Sequence, residues 1–317
     1  MRVRPLRADD AARVAEGWNA VLPYDPLNEE RLRRLWLEAP NYEPGDVVVA
    51  EDSTGAVLGM AACAIRRSVE GADGGGSPEV FGRAFLTGFF AVEGEAGDAA
   101  AAELLAAVER RCEEAGKTEI RVTEYTGPYL YPGPDVRYER IRGLLERHGY
   151  RDVRTIEDVG VDLRAPWLDA RIQSAWARVG EGLVLETWRP ELLPPMRRFV
   201  AEGKMPAWFP VGWEKKFAEP DGATLILRTD DEILGWARYW PGKPTAGFGP
   251  ILVLPRNRGR GYGGLLLLEC MRRARDQGAQ FMSAGWANTG FYIAHGWHIT
   301  RRYAVLTKAI RRGKEAA

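Results

Sequence analysis

Residues 251–262 read ILVLPRNRGRGY, and this stretch decides the fold. Ile251, Leu252, Val253 and Leu254 form a short apolar run of the kind a buried strand shows. Pro255 ends it, because proline has no N–H for a strand ladder. Arg256-Asn257-Arg258-Gly259-Arg260-Gly261 follows as a loop, and Tyr262–Gln277 (YGGLLLLECMRRARDQ) predicts a helix stopped by Gly278. A strand therefore feeds a glycine- and arginine-rich loop that opens a helix. Unsatisfied N–H groups and the positive end of the helix dipole converge there. Glycines let an anion come close to the backbone, and the arginines add charge, which makes this a phosphate-binding arrangement.

Gly259, Gly261 and Gly264 also satisfy G-x-G-x-x-G. The dinucleotide fingerprint needs an acidic residue about 20 positions on. No Asp or Glu lies between Gly278 and Glu315, so that reading fails. No G-K-[ST] follows the loop, which excludes a Walker A site. Three arginines at a helix N-terminus oppose the dipole unless an anion sits among them.

The pattern Arg256-x-x-Gly259-x-Gly261 after a strand resembles motif A of the GNAT superfamily of N-acetyltransferases. A second strand (Phe281–Trp286) follows the helix, and then Asn288-Thr289-Gly290-Phe291-Tyr292-Ile293-Ala294-His295-Gly296-Trp297, which resembles motif B of the same family. The two motifs stand in the family's order and spacing, and the resemblance covers about Leu183 to Lys308. It implies an α+β fold built on a mixed α/β sheet, mostly antiparallel, flanked by helices.

The chain has 317 residues, enough for two domains. Basic and acidic residues number 44 each, so no charge excess favours a nucleic acid or a polyanionic surface as partner. The arginines at 256–260 are better assigned to one small anion. Cys63, Cys112 and Cys270 form an odd, unpatterned set, which suits reduced thiols in a cytoplasmic protein. His148, His295 and His298 are too scattered for a metal cluster, so none is expected. No apolar run approaches the roughly 18 residues of a membrane span, and no signal peptide is expected.

Along the first half, strands are predicted at Val3–Leu6, Val47–Ala50, Val57–Ile65, Arg83–Val92, Glu119–Thr123 and near Arg151–Leu163. Helices are predicted from Asp9 to Val21 and over Leu27–Glu38 with Asn28 as cap, Ala99–Ala115 and Val136–Arg147. The second half repeats the plan. Leu104-Leu105…Gly116 parallels Leu265-Leu266…Gly278, and His148-Gly149-Tyr150 parallels His295-Gly296-Trp297. The sequence thus suggests a duplication: a first GNAT-like domain at 1–164, a linker at 165–182 and a second domain at 183–317. In the first half the motif A region reads Glu93-Gly94-Glu95-Ala96-Gly97-Asp98. Carboxylates replace arginines and would repel a pyrophosphate, by roughly 3 kcal/mol per unit pair at about 5 Å before screening. The first domain is therefore expected to have lost its anion site.

For the second domain the resemblance implies acetyl-CoA as cosubstrate. Backbone groups of Leu252, Val253 and Leu254 would pair with the pantetheine arm. N–H groups of Arg258, Gly259, Arg260, Gly261, Tyr262, Gly263 and Gly264 would hold the pyrophosphate. Asn288 and Phe291 would line the arm. Tyr292 stands where many family members carry the acid that protonates the departing thiolate. A general base is not evident: Glu186, Asp230, Asp231 and Glu232 are candidates by polarity alone, and a water chain is an equal alternative. The loop 203–213, with Trp208, Phe209, Pro210 and Trp213, suits a flat apolar face such as a sugar ring. The tandem plan resembles glucosamine or glucosaminide N-acetyltransferases. The expected function is acetyl transfer to a primary amine of a small molecule, with an aminosugar first; protein N-acetylation and a non-catalytic acetyl-CoA sensor are the alternatives. No nucleic-acid or membrane partner is expected.

Overall fold

The computed structural model describes residues 1–39, 42–67, 82–125, 130–203, 205 and 213–310. They form two compact units: Met1–Ile156 together with the chain from Arg302 on, and Glu157–Arg301.

The first unit holds β1 (Arg2–Pro5), α1 (Ala11–Val21), α2 (Glu29–Leu32), β2 (Val47–Glu51), β3 (Val57–Ile65), β4 (Arg83–Ala91), α3 (Glu95–Glu114), β5 (Glu119–Val122) and α4 (Glu139–Arg147). The N-cap forms as the sequence predicts, with the Asn28 side chain accepting from Arg31 N. β6 (Arg151–Asp162) leaves this unit at Ile156 and enters the second. The second unit continues with α5 (Leu168–Val179), β7 (Val184–Thr187), α6 (Leu193–Glu202), α7 (Trp213–Ala218), β8 (Ala223–Arg228), β9 (Ile233–Trp240), β10 (Thr245–Val253), α8 (Tyr262–Asp276), β11 (Phe281–Ala284) and α9 (Thr289–Ile293). β12 (His298–Ala309) returns to the first unit at Arg302.

Strand order is β1-β2-β3-β4-β5-β12 in the first unit and β6-β11-β10-β9-β8-β7 in the second. Each sheet is mixed. Among the described residues the parallel pairs are β4 with β5 in the first and β10 with β11 in the second. Each unit closes its sheet with a strand from the other half of the chain. Val159–Asp162 of β6 pairs antiparallel with β11, and Leu306–Ala309 of β12 pairs antiparallel with β5. The sequence suggests a single linear joint; the chain instead crosses between units twice. The connecting segment 165–182 carries a helix over Leu168–Val179, as its sequence suggests, and that helix packs into the second unit. Leu168 and Ile172 of α5 are buried with α8 residues Leu265, Leu268 and Met271. The two helices run antiparallel, tied by Arg275–Asp169 at 2.9 Å and by Trp176 Nε1 donating to Glu269 at 2.8 Å.

Helices α5, α8 and α9 cover one face of the second sheet, and α6 and α7 the other. Residues on β10 change sides midway. Ala246 and Phe248 face α8, whereas Leu252 and Leu254 face α6 and α7. The cause is a bulge: Phe248 opposes Tyr239, but Ile251 opposes Ala237, so one extra residue reverses the alternation.

The duplication is visible in the backbone. Gly94 and Gly261, with φ of 96° and 87°, precede α3 and α8. Glu124 and Trp286, two residues past β5 and β11, have φ of 61° and 54°. A side chain in that region costs about 1–3 kcal/mol and persists only where neighbours impose it.

Candidate functional site

β10 and β11 pair only through Thr245↔Phe281, Ala246↔Met282 and Gly247↔Ser283. Beyond the bulge β10 stays bonded to β9 (Leu252↔Trp236, Val253↔Gly235), so its other edge is open where the two parallel strands part. An open edge presents backbone donors and acceptors to an extended ligand. Leu252 contributes only backbone there, since its side chain is buried against α6 and α7. The Val253 carbonyl accepts from Arg258 Nε at 3.2 Å, and the Leu254 carbonyl from Asn257 N at 2.8 Å.

At the end of this edge α8 begins without a side-chain cap. Its N1, N2 and N3 residues are Tyr262, Gly263 and Gly264, so their N–H groups have no intrahelical partner. The Tyr262 ring lies in the core, which leaves only its N–H for a ligand. A Cβ on Gly263 would lie 3.5 Å from the Phe291 ring and 3.9 Å from Val253. A Cβ on Gly264 would stand 2.4 Å from His295 Nε2, so position 264 admits no side chain without moving His295. His295 is itself fixed by a 2.7 Å bond from Nδ1 to the Phe291 carbonyl.

The arginines fall into two groups. Arg256 pairs with Glu202 at 3.3 Å and Glu232 at 3.2 Å, so its charge is answered within the protein. Arg258 and Arg260 are exposed and make no ion pair among the described residues. The motif spacing is met again two positions on, as Arg258-x-x-Gly261-x-Gly263. This register, overlooked in the sequence, sets the last glycine in the first turn of α8. Arg178, at the end of α5, joins them: a Cβ on Gly261 would lie 3.3 Å from Arg178 Cδ. Nothing in the sequence pattern singles it out, because its place follows from the antiparallel packing of α5 on α8. Arg178→Glu should weaken acetyl-CoA binding about tenfold, as loss of a charge-assisted contact does, and leave binding of S-acetylpantetheine, which lacks the pyrophosphate, unchanged. Titration calorimetry with both ligands checks this; equal loss for both would assign Arg178 to packing.

Tyr292 packs edge-on to Phe248 (6.0 Å between centroids), Trp297 (5.1 Å) and Phe291 (5.3 Å). Burial, with the Cys270 thiol nearby, pushes its phenol up to about 12. Its hydroxyl has no hydrogen-bond partner among the described residues. Asn288 is exposed at the start of α9, one turn from Phe291, whose N–H bonds the Asn288 carbonyl at 3.0 Å.

Residues 185–297 match the model of the Acetyltransferase (GNAT) family. This segment is a GNAT-family domain. No curated protein matches the chain. Among solved structures, a glucosamine N-acetyltransferase region of a fungal multi-domain GH3 β-N-acetylglucosaminidase is similar at 18% identity and TM-score 0.75 over 97% of this chain. The match spans 38% of that longer chain. A GCN5-related N-acetyltransferase from Sphaerobacter thermophilus is 18% identical with TM-score 0.68, covering 98% of this chain and 96% of that one. A tandem GNAT protein from the clavulanic acid biosynthesis pathway is 16% identical with TM-score 0.63, covering 99% of both chains. At these identities the likeness is one of fold, and it extends over both units.

Among the acidic residues named as base candidates, Glu186 and Glu232 are held in ion pairs and Asp230 and Asp231 are exposed in a turn. Glu186 sits on β7, the far edge of the sheet, held by Arg228 at 2.5 Å and Arg189 at 2.8 Å. Asp230 and Asp231 are exposed in the β8–β9 turn, and Glu232 is taken by Arg256. The carboxylates at the end of β11 are instead Glu157 and Asp158, delivered by β6. Of the aromatic loop, Trp208, Phe209 and Pro210 lie outside the described residues. Trp213 opens α7 and packs on Trp188 and Phe217.

The first unit treats the matching place differently. Asp98, in the first turn of α3, is bound by Arg140 at 2.6 Å and Arg147 at 3.4 Å. The Arg140 guanidinium also donates to the Ala91 and Val92 carbonyls at 2.7 Å each. It thus fills the end of β4. A Cβ on Gly97 would fall 1.8 Å from the Val92 carbonyl oxygen, so strand and helix are in close contact there.

Proposed function

We propose that the second unit transfers the acetyl group of acetyl-CoA to the primary amine of a small molecule, with an aminosugar as the favoured acceptor. The observation that carries this reading is the parting of β10 and β11 over a helix start where Arg258 and Arg260 make no ion pair among the described residues. The open edge of β10 at Leu252–Leu254 fits an extended pantetheine arm, and the N–H groups of residues 258–264 with Arg258 and Arg260 fit its pyrophosphate. Asn288 and Phe291 would flank the arm. Acetyl-CoA supplies the thioester, and the protein supplies position and protons. The aminosugar preference rests on the fungal glucosamine N-acetyltransferase region that shares the fold. We further propose that the first unit binds no cosubstrate, because Arg140 and Asp98 satisfy each other where the groove would lie.

Tyr292 is the acid in this reading. A phenol raised to about 12 stays protonated at neutral pH and can give its proton to the leaving sulfur. Tyr292→Phe keeps the ring contacts, so acetyl-CoA affinity should change less than about threefold while kcat drops about 10²-fold. Loss of the phenolic proton would lower the rate as pH rises through the phenol's pKa. With that value near 12, wild-type kcat should show no falling limb from Tyr292 below about pH 10. Thiol release from acetyl-CoA with a panel of amines reads all of this. Wild-type kcat in Tyr292→Phe, with chemistry rate-limiting, would remove the assignment.

A further inference from the structure

Where β10 and β11 part, the two faces of the sheet differ. On the α8–α9 face the rings of Phe248, Tyr292 and Trp297 pack together and close it. Ala246, Met282 and Val161 point into that core, so by strand alternation Gly247, Ser283 and Gly160 face the other way. These three stand in one row, with Gly247 opposite Ser283 and Ser283 opposite Gly160. The row continues onto β9, where Gly247 opposes Trp240. A Cβ on Gly247 would lie 3.4 Å from the Trp240 ring, so the indole stands against bare backbone. Arg238, two residues earlier on β9, lies over the ring at 5.6 Å. That arginine is 1% exposed and is itself held by Thr224 Oγ1 at 3.1 Å and Asp221 at 3.0 Å, so it fixes the indole in place. No second ring or cation stacks on Trp240 among the described residues. At the other end of the row a Cβ on Gly160 would lie 2.9 Å from Thr300 Cγ2, so Thr300 bounds it. The result is a shelf with an aromatic wall, a floor no taller than serine, and two hydroxyls. Ser283 and Thr300 are exposed, and neither makes a hydrogen bond among the described residues. The shelf lies beside the fork of the strands, where a Cβ on Gly249 would meet nothing within 4 Å.

In the acetyl-transfer reading above, on which this inference rests, the pyrophosphate sits at residues 258–264 and the arm runs back along 254–252. The thioester then arrives at the fork, beside Gly249. An amine has no path to it through the packed rings of the α8–α9 face, so it comes over the shelf. We infer that Trp240 is the platform that selects a ring-bearing acceptor, a pyranose carrying the amine, with Ser283 and Thr300 pairing with its hydroxyls. The C–H face of a pyranose is flat and apolar enough to lie on an indole, while its rim of hydroxyls needs polar partners. Each hydroxyl of the shelf offers one donor and two acceptor positions. The low floor of Gly247, Ser283 and Gly160 leaves height for a ring beside the wall. An open-chain amine with the same hydroxyls has no flat face to set against Trp240 and loses that part of the binding.

The test uses the full chain with acetyl-CoA, thiol release as the readout, and two amines. One is glucosamine; the other is serinol, which repeats glucosamine's amine-bearing carbon and both flanking hydroxyls without the ring. Each result is read as the ratio of variant to wild type, so differences in amine basicity cancel. Trp240→Ala should lower kcat/KM for glucosamine about tenfold or more, chiefly through KM, and change that for serinol less than about threefold. Trp240→Phe keeps a ring and should recover most of the loss. Ser283→Leu raises the floor at an exposed position and leaves Trp240 intact. It should show the same selective loss, which keeps the inference testable if Trp240→Ala does not fold. Acetyl-CoA affinity by calorimetry should stay within about twofold of wild type in all three. Equal losses for both amines in Ser283→Leu, or unchanged kcat/KM for glucosamine in Trp240→Ala, would overturn the inference. So would a wild type that binds acetyl-CoA and acetylates serinol but not glucosamine, which would leave the acetyl-transfer reading standing. Failure to bind acetyl-CoA would remove that reading itself, and this inference with it.

Discussion

Arg258→Glu combined with Arg260→Glu is expected to abolish acetyl-CoA binding, lowering affinity by about 10²-fold or more. Both side chains stand at the positive end of α8 without a counter-charge among the described residues, so reversing them turns two attractions for a pyrophosphate into repulsions. The exposure of both groups screens the effect, which is why a single reversal should cost less. Arg256→Glu is the informative contrast. Its charge is already met by Glu202 and Glu232, so affinity should change only a few-fold, although the three arginines look equivalent in the sequence. In the same calorimetry, wild type should bind one acetyl-CoA per chain. Two equivalent sites would contradict the filled groove of the first unit, and unchanged affinity in the double variant would move the cosubstrate elsewhere.

The contrast between Arg256 and Arg258 marks where sequence reading ends. The strand, glycine loop and helix over 251–277 were legible because each is written locally: an apolar run, a proline stop, glycines with positive φ, a leucine-rich helix face. Tyr292 and Phe291 are singled out by their spacing in the second motif, and their rings pack edge-on at 5.3 Å. Counter-charges are not local. Glu202 and Glu232 reach Arg256 from α6 and from the β8–β9 turn, whereas no carboxylate among the described residues pairs with Arg260. The same holds for the strand beside β11, because β6 arrives from the end of the first half of the chain. Strand pairing is set by hydrogen bonds between distant segments, and β6 and β12 have the same alternation whichever sheet they join. Arg140 was missed for a related reason. The acidic loop at 93–98 suggests a lost anion site, whereas the guanidinium that bonds the end of β4 comes from α4.

The strand exchange carries the last prediction. A fragment of residues 183–317, cut where the sequence suggests the domain begins, should show no cooperative thermal unfolding. It lacks β6, the edge partner of β11, and α5, the cover of α8. The missing pieces include Val159, Val161, Leu163, Leu168 and Ile172, which are at most 6% exposed in the intact chain. Burial of each such side chain stabilises by about 1.5–3 kcal/mol, so the set is worth about 7–15 kcal/mol. A domain's whole net stability is about 5–15 kcal/mol, and the cut removes a comparable amount while exposing the apolar face of α8. A fragment of residues 157–301 restores both elements and omits the half of β12 that belongs to the other unit. It should melt cooperatively and bind acetyl-CoA. Far-UV circular dichroism against temperature on the two fragments decides the matter. Cooperative melting of 183–317 with full acetyl-CoA binding would mean that β6 and α5 are dispensable both for the fold of the second unit and for its cosubstrate site.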